Sequence, residues 1–222
     1  MRIALLGGTG DIGRGLALRW AYDTDHEVVI GSRDPERARE KADEYETELD
    51  RRGVDAAVAG RENAAAVDGA DVVVLAVPAY HLVETVETVA GELDRGTVLV
   101  SPAVGMKRDA DGVHYNPPAA GSVTRLAADA APDGVPVVGA FHNLAADRLA
   151  NLDAALDVDT LVVGDDADAV ERVTALAEGI EGLRALSAGP IANAPEVEAL
   201  TPLLLNVAAN NRDHHRVGVR FR

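Results

Sequence analysis

The residues that decide the fold are Met1-Arg2-Ile3-Ala4-Leu5-Leu6-Gly7, followed without a break by Gly8-Thr9-Gly10-Asp11-Ile12-Gly13. A short apolar run of strand length passes into G-x-G-x-x-G spacing, and the positions after it, 12–22, read as a helix. In that context each glycine has its own task. Gly8 permits the tight turn, Gly10 lets backbone approach a pyrophosphate, and Gly13 lets helix and strand pack closely. N–H groups at the helix start then hold the phosphates. The same spacing without a strand before it and a helix after it would carry little weight.

The next strand candidate, 27–30, leads into Gly31-Ser32-Arg33. A site built for NAD places an Asp or Glu there, about 20 residues past the loop, on the adenosine ribose hydroxyl. Here a hydroxyl precedes a guanidinium, with Arg37 one helical turn further. Arginine donates in a fork and its charge offsets a dianionic phosphate, so NADP is expected in preference to NAD. Thr9 adds a further donor to the same phosphate. The competing reading pairs Arg33 and Arg37 with Asp34, Glu36 or Glu40 on the helix surface.

The rest of the chain repeats the strand-helix alternation. Strand candidates follow at 56–59, 71–77, 97–101 and 135–140, with helical stretches at 35–52, 82–93 and 121–131 between them. Val72-Val73-Val74-Leu75-Ala76-Val77 is continuously apolar, as a strand covered by helices on both faces requires. The expected fold class is therefore α/β, a doubly wound Rossmann-type parallel sheet with right-handed crossovers and a small C-terminal α/β part. Residues 1–150 are read as the NADP-binding domain and 151–222 as a small C-terminal domain completing a cleft and a dimer surface. In that second part the expectation is strands at 161–163, 183–186 and 217–221, a helix at 167–178, and an apolar helix at 194–211 broken by Pro202. Leu203-Leu204-Leu205 is too apolar for an exposed helix, so it packs in a core or against a second subunit.

Composition excludes several chemistries. The 222 residues contain no Cys, which removes disulfides, thiol nucleophiles and Cys-ligated metals, so the electron carrier must be organic. No metal is expected: His214-His215 are adjacent, and adjacent side chains point apart. With 37 acidic and 21 basic residues the formal net charge is −16. Such a surface repels nucleic acid and anionic membrane. It serves solubility, or it reflects a salt-rich cytoplasm in which screening removes the self-repulsion. There is no leader ahead of the first strand and no apolar run of 18 or more residues, so the expected location is cytoplasmic.

With those residues in place, the chain closely resembles the coenzyme F420-dependent NADP oxidoreductases of archaea and actinobacteria. The opening Met1-to-Gly10 run, Gly31-Ser32-Arg33 and Ser101-Pro102 match that family's pattern. So do Ala150-Asn151-Leu152-Asp153, Gly182-Leu183-Arg184, Ala188-Gly189-Pro190 and Leu200-Thr201-Pro202-Leu203. The matches span nearly the whole chain. The resemblance implies reversible hydride transfer between reduced F420, an 8-hydroxy-5-deazaflavin, and NADP, in a homodimer; with the acidic surface, a halophilic archaeon is the expected source. It implies that Gly8, Thr9, Gly10, Asp11, Ile12, Gly13, Ser32, Arg33 and Arg37 hold NADP. Val77, Pro78, Ala79, Val83 and Ala146 complete the coenzyme site, with Val77-Pro78-Ala79 along the nicotinamide. The deazaflavin is then placed against Ser101, Val104, Gly105, Met106, His142, Asn143 and Leu144. Two departures stand out. Ala79 replaces an aromatic residue common after the proline, with Tyr80 next to it, and Asn143 follows His142 where a proline is common.

Direct hydride transfer asks the protein to stack two rings and exclude water, so no acid or base is assigned. His142 is the polar group expected near the deazaflavin, or else a histidine satisfying backbone in a strand-end turn. Two other functions stay open. An NADPH-dependent imine or ketone reductase would need a proton donor, for which Lys107 and Tyr115 are the nearby candidates. A non-catalytic NADP-sensing protein would need a signal output, for which no motif is present.

Overall fold

The computed structural model describes residues 1–211 and 217–222, so the His214-His215 pair lies outside the described residues. In chain order the elements are β1 (Arg2–Leu6), α1 (Asp11–Asp23), β2 (Glu27–Ser32), α2 (Pro35–Asp50), β3 (Val58–Glu62), α3 (Asn63–Val67), β4 (Val72–Leu75) and α4 (Leu82–Val89). Then come β5 (Val98–Ser101), the hairpin β6 (Met106–Asp109) and β7 (Gly112–Tyr115), α5 (Val123–Ala130), β8 (Val137–Gly139) and α6 (Ala146–Ala150). The chain continues through β9 (Val158–Gly164), α7 (Ala167–Glu178), β10 (Leu183–Ser187), α8 (Ala194–Glu198) and α9 (Leu200–Asn210). Eight of the strands form one sheet in the order β10-β9-β8-β5-β4-β1-β2-β3.

The strand patterning explains the layers. Ile3, Leu5, Val28, Ile30, Val72 and Val74 point into one core, under α1, α2 and α7. Their neighbours Ala4, Leu6, Val29, Val73 and Leu75 point into the other, under α3, α4 and α5. Each strand is thus buried on both faces, which is why its sequence reads as a continuous apolar run. At about 1.5–3 kcal/mol per buried aliphatic side chain, these two cores are the main source of stability.

The sheet is not wholly parallel. β8 and β9 pair antiparallel, Val138 opposite Gly164, while the other sheet ladders are parallel. Through that pair the sheet runs on across residue 150 into the C-terminal strands. Around the same boundary the buried Arg19 of α1 donates to the carbonyls of Leu149, Asn151 and Ala154 at 2.7–2.9 Å.

Two further expectations are corrected. The apolar helix at 194–211 breaks at Ala199, not at Pro202, which is the buried third residue of α9. First-turn N–H groups have no helical partner, so proline costs nothing there. Most of α9 lies outside the core, with Leu203 55% and Leu205 42% exposed. The stretch 217–221 is no strand; it lies along β9 through Asp159 N–H to the Val219 carbonyl (2.7 Å). The hairpin β6-β7 had no signal because every residue of β6 is exposed.

That C-terminal segment is held by two carboxylates, Asp157, which pairs with Arg220 at 2.8 Å, and Asp159. Asp159 is fully buried and accepts from Arg184 Nε (2.9 Å), Arg184 Nη2 (2.6 Å) and the Phe221 N–H (2.6 Å). Arg184 foremost, then the Phe221 amide and nearby charges, hold the carboxyl below its ordinary value against the cost of burial. The stabilisation is therefore complete above the unfolded carboxylate pKa, about 3.9, and is lost as pH falls through the lower folded value. Urea unfolding of the parent and Asp159→Asn should differ most above pH 5 and converge well below pH 4. A constant gap across that range would count against the latch.

Candidate active site

The glycine loop joins β1 to α1 with a division of labour that spacing alone does not show. The residue in the left-handed region is Gly7, at φ 81°, one place before the position expected to make the turn. A Cβ on Gly8 would stand 2.7 Å from Ile30, and one on Gly13 would stand 2.6 Å from the Gly8 Cα, so both are glycines for packing. Gly10 is different. Its φ is −90°, and a Cβ there would meet nothing nearer than the Gly7 carbonyl oxygen at 3.4 Å. No protein atom requires glycine at that position, which leaves the approach of a ligand as its reason. Gly10 also precedes α1 with no side-chain cap, so the first N–H groups of the helix face outward unpaired.

Tyr45 of α2 fixes the loop from beneath, its buried hydroxyl donating to the Gly8 carbonyl at 2.9 Å. Burial pushes that phenol up to about 12, so it remains a donor at any working pH. Nothing in the sequence singled out this residue, which reads only as one apolar position on a charged helix.

Thr9, Gly10, Ser32, Arg33, Arg37, Val77 and Pro78 line one cleft of about 270 Å³ at the carboxyl ends of β1, β2 and β4. No side chain occupies the donors of Ser32, Arg33 and Arg37 among the described residues. Ser32 Oγ accepts from the Asp34 N–H at 3.1 Å and keeps its own proton to donate. Asp34 is occupied as the cap of α2, accepting from the Glu36 and Arg37 amides. Neither Arg33 nor Arg37 forms a side-chain ion pair among the described residues, so the surface-pairing reading of these arginines does not describe the structure. The sequence missed Asn63 in the same cleft. It is buried, lines the wall beside Ser32, and its Oδ1 has no partner among the described residues. Gly31 makes room for it, since a Cβ there would lie 2.9 Å from that oxygen.

A second cleft, about 520 Å³, contains Pro78, Ala79, Tyr80, Val104, Gly105, Met106 and Val123 among its walls. The two clefts share Pro78. His142, Asn143 and Leu144 line a smaller apolar pocket of about 70 Å³ with Thr201, Leu204, Leu205 and Ala208. The residues placed against the deazaflavin are therefore split between two hollows. Ser101 is fully buried at the end of β5, and its Oγ has no partner among the described residues. Asn143 is turned inward, donating to the Asp159 carbonyl at 2.7 Å. Asp11, exposed, and Ile12, packed on the core, open α1; Val83 lies in the first turn of α4; Ala146 opens α6, close to Gly15 of α1.

Phe141, just ahead of His142, holds φ 67° without being glycine. Its N–H donates to Thr160 Oγ1 (3.0 Å), and its ring meets Trp20 edge-on at 5.7 Å. Those contacts offset a conformation that ordinary residues avoid. The candidate proton donors are poorly placed. Tyr115 donates to Glu198 (3.0 Å), and burial followed by that carboxylate pushes its pKa up, while Lys107 is exposed on β6. Neither belongs to the clefts described. Among the described residues no three of His, Asp or Glu converge on a metal position, and no helix is long and apolar enough to cross a membrane.

A doubly wound sheet whose glycine loop opens onto a cleft lined by Ser32, Arg33 and Arg37 has the architecture of the dinucleotide-binding oxidoreductases. Comparison with known proteins narrows the class. Residues 2–105 match the family model described as NADP oxidoreductase, coenzyme F420-dependent. The chain is 40% identical to the F420-dependent NADP reductase of Methanothermobacter marburgensis, over 100% of this chain and 98% of that protein. It is 37% identical to the reductase of the same name from Methanocaldococcus jannaschii, over 93% of this chain and 92% of the relative. Among solved structures, a putative F420-dependent NADP reductase from an Arthrobacter species superposes with a TM-score of 0.81 at 25% identity, covering 100% of this chain and 99% of that one. A pyrroline-5-carboxylate reductase from Coxiella burnetii shares the fold at TM-score 0.59 and 14% identity, over 97% of this chain and 72% of that one. The chain belongs to the F420-dependent NADP reductase family.

Proposed function

We propose that this protein catalyses reversible hydride transfer between reduced F420 and NADP, with the two rings meeting beside Pro78. The observation that carries this reading is the shared wall. The cleft that offers Gly10, Ser32, Arg33 and Arg37 ends at Val77 and Pro78, and the second cleft begins at Pro78 and Ala79. Open α/β sheets bind ligands at this carboxyl edge. The residues fit NADP. A hydroxyl and two unpaired guanidinium groups await a phosphate, and an uncapped helix start lies beside a glycine that no protein contact requires. When bound, the coenzymes themselves supply the redox chemistry, a hydride passing from one ring carbon to the other. The protein's share is to hold the rings at attack distance and keep water out. Val77, Pro78, Ala79 and Val104 suit that task, being apolar and free of any group that must be protonated. The same consideration disfavours an imine or ketone reductase, since the candidate donors Lys107 and Tyr115 line neither cleft.

The proposal includes a cytoplasmic location and a homodimer; the exposed Leu203, Leu205 and Val207 of α9 support the homodimer, and a monomeric mass in molar salt would refute it. The deciding experiment follows deazaflavin absorbance while reduced F420 and NADP are mixed with enzyme in concentrated salt, with NAD as control. Rapid oxidation with NADP and little with NAD is expected. Tight NADP binding without turnover would return the sensor reading.

A further inference from the structure

His142 sits at the end of a buried hydrogen-bond chain that the coenzyme sites alone do not explain. The chain starts at Glu198 of α8, whose side chain is fully buried. Its Oε2 accepts from the Tyr115 hydroxyl (3.0 Å) and the Val123 N–H (3.0 Å). Its Oε1 accepts from the Thr124 N–H (2.9 Å) and the Thr124 hydroxyl (3.0 Å). Four donors and no acceptor surround this carboxylate. The Thr124 hydroxyl has one proton, and it is spent on Glu198.

Thr124 Oγ1 also lies 3.4 Å from His142 Nε2. With its proton committed, the oxygen can serve the ring only as an acceptor, so the hydrogen between them must belong to Nε2. The burial of His142 lowers its pKa to about 4, which keeps the ring neutral in ordinary buffers. A neutral imidazole carries one N–H and one lone pair. Nδ1 is buried and has no partner among the described residues. The backbone shows that Thr124 is held in place for this contact. A Cβ on Gly139 would lie 2.7 Å from Thr124 Oγ1 and 2.9 Å from its Cγ2, so the glycine of β8 leaves room for that side chain.

We propose that Glu198, acting through Thr124, fixes His142 as the tautomer protonated on Nε2, so that Nδ1 presents a lone pair to an N–H or O–H donor of the deazaflavin. A histidine placed to donate to a ring carbonyl would need the opposite arrangement. The requirement on the ligand is specific: a donor-bearing edge in the apolar pocket of Leu144, Leu204 and Leu205 is favoured, and a ring offering only carbonyl oxygens there is rejected, because two acceptors would face each other in a dry site. Glu198 and Thr124 are positioning residues in this scheme. The identity of the donor rests on the F420 reading above, and the tautomer does not.

Nitrogen-15-labelled protein without coenzymes provides the test, the ring correlations of His142 reporting which nitrogen carries the proton. The parent is expected to show a protonated Nε2 and a bare Nδ1. Thr124→Val, which keeps the shape and removes the oxygen, should lose that preference, and Thr124→Ser should restore it. Binding of F420 should weaken about tenfold in Thr124→Val, roughly the worth of one well-made hydrogen bond in a buried site, and recover in Thr124→Ser, with NADP affinity unchanged in both. A proton on Nδ1 in the parent, or an unaltered ring in Thr124→Val, overturns the tautomer assignment. A changed ring with unchanged F420 affinity overturns the ligand contact. Failure of the parent to bind F420 at all would instead sink the functional reading, leaving the ring measurement intact.

Discussion

Replacing Ser32, Arg33 and Arg37 together by alanine is expected to weaken NADP binding by roughly two to three orders of magnitude and NAD binding by less than about threefold. A hydrogen bond to a charged group is worth about 1.5–3 kcal/mol, and this site is open to solvent, so the lower end applies to each arginine. Two such contacts and a neutral hydroxyl total about 3–4 kcal/mol, and 1.4 kcal/mol is tenfold in affinity. The selectivity follows from where the groups stand. They gather at the end of β2 and the start of α2, away from the Val77-Pro78 end of the cleft, so the maximal rate with saturating NADP should hardly change. The fold should survive, because Asp34, not the replaced residues, caps α2 and is untouched. Salt must be held fixed during the comparison, since screening acts within about 3 Å at molar salt. Michaelis constants for both coenzymes, measured in one buffer, decide the matter; equal losses for NADP and NAD would remove the phosphate from this site.

That these three residues share one cleft was legible in the sequence because the rules behind it are local. A strand end and a helix start bring Ser32, Arg33 and Arg37 together whatever the rest of the chain does. The apolar runs were legible for a similar reason, since a strand covered on both faces has no polar position to disguise it. What could not be read depends on contacts far apart in sequence. The antiparallel β8-β9 pair is set by how the chain returns after α6, and no periodicity encodes that direction. Arg19 looks like a surface charge on α1 until the carbonyls near residue 150 close around it. Tyr45 and Asn63 belong to the coenzyme site through a partner 37 residues away in one case and a shared cleft in the other. The hairpin at 106–115 was missed because all of β6 is exposed and only Val113 of β7 is buried, too little to leave an alternating pattern. His142 was singled out as the polar group near the deazaflavin, but its role as donor or acceptor depends on Glu198, which lies 56 residues downstream (198 − 142).

The two glycines of the loop should separate folding from function. Gly10→Ala is expected to keep the parent's stability to within about 1 kcal/mol, the usual penalty for alanine in place of glycine before a helix. Its backbone conformation suits any residue, and its Cβ would meet only the Gly7 carbonyl oxygen, at an ordinary contact distance of 3.4 Å. Yet this position is where the pyrophosphate must approach the backbone, so NADP and NAD affinity should both fall at least about tenfold, the equivalent of 1.4 kcal/mol. Gly13→Ala should behave in the opposite way. Its Cβ would press on the Gly8 Cα at 2.6 Å and the Gly7 carbonyl oxygen at 2.7 Å, and neither is the end of a side chain that can move aside. Overpacking of this kind costs at least about 2 kcal/mol, so the unfolding midpoint should drop clearly. The loop would shift with it, and coenzyme affinity would suffer as a consequence of lost structure. Urea unfolding combined with coenzyme titration distinguishes the two variants. A destabilised Gly10→Ala with normal affinity would mean that this glycine serves packing after all, and the phosphate-binding role would then have to rest on the uncapped start of α1 alone.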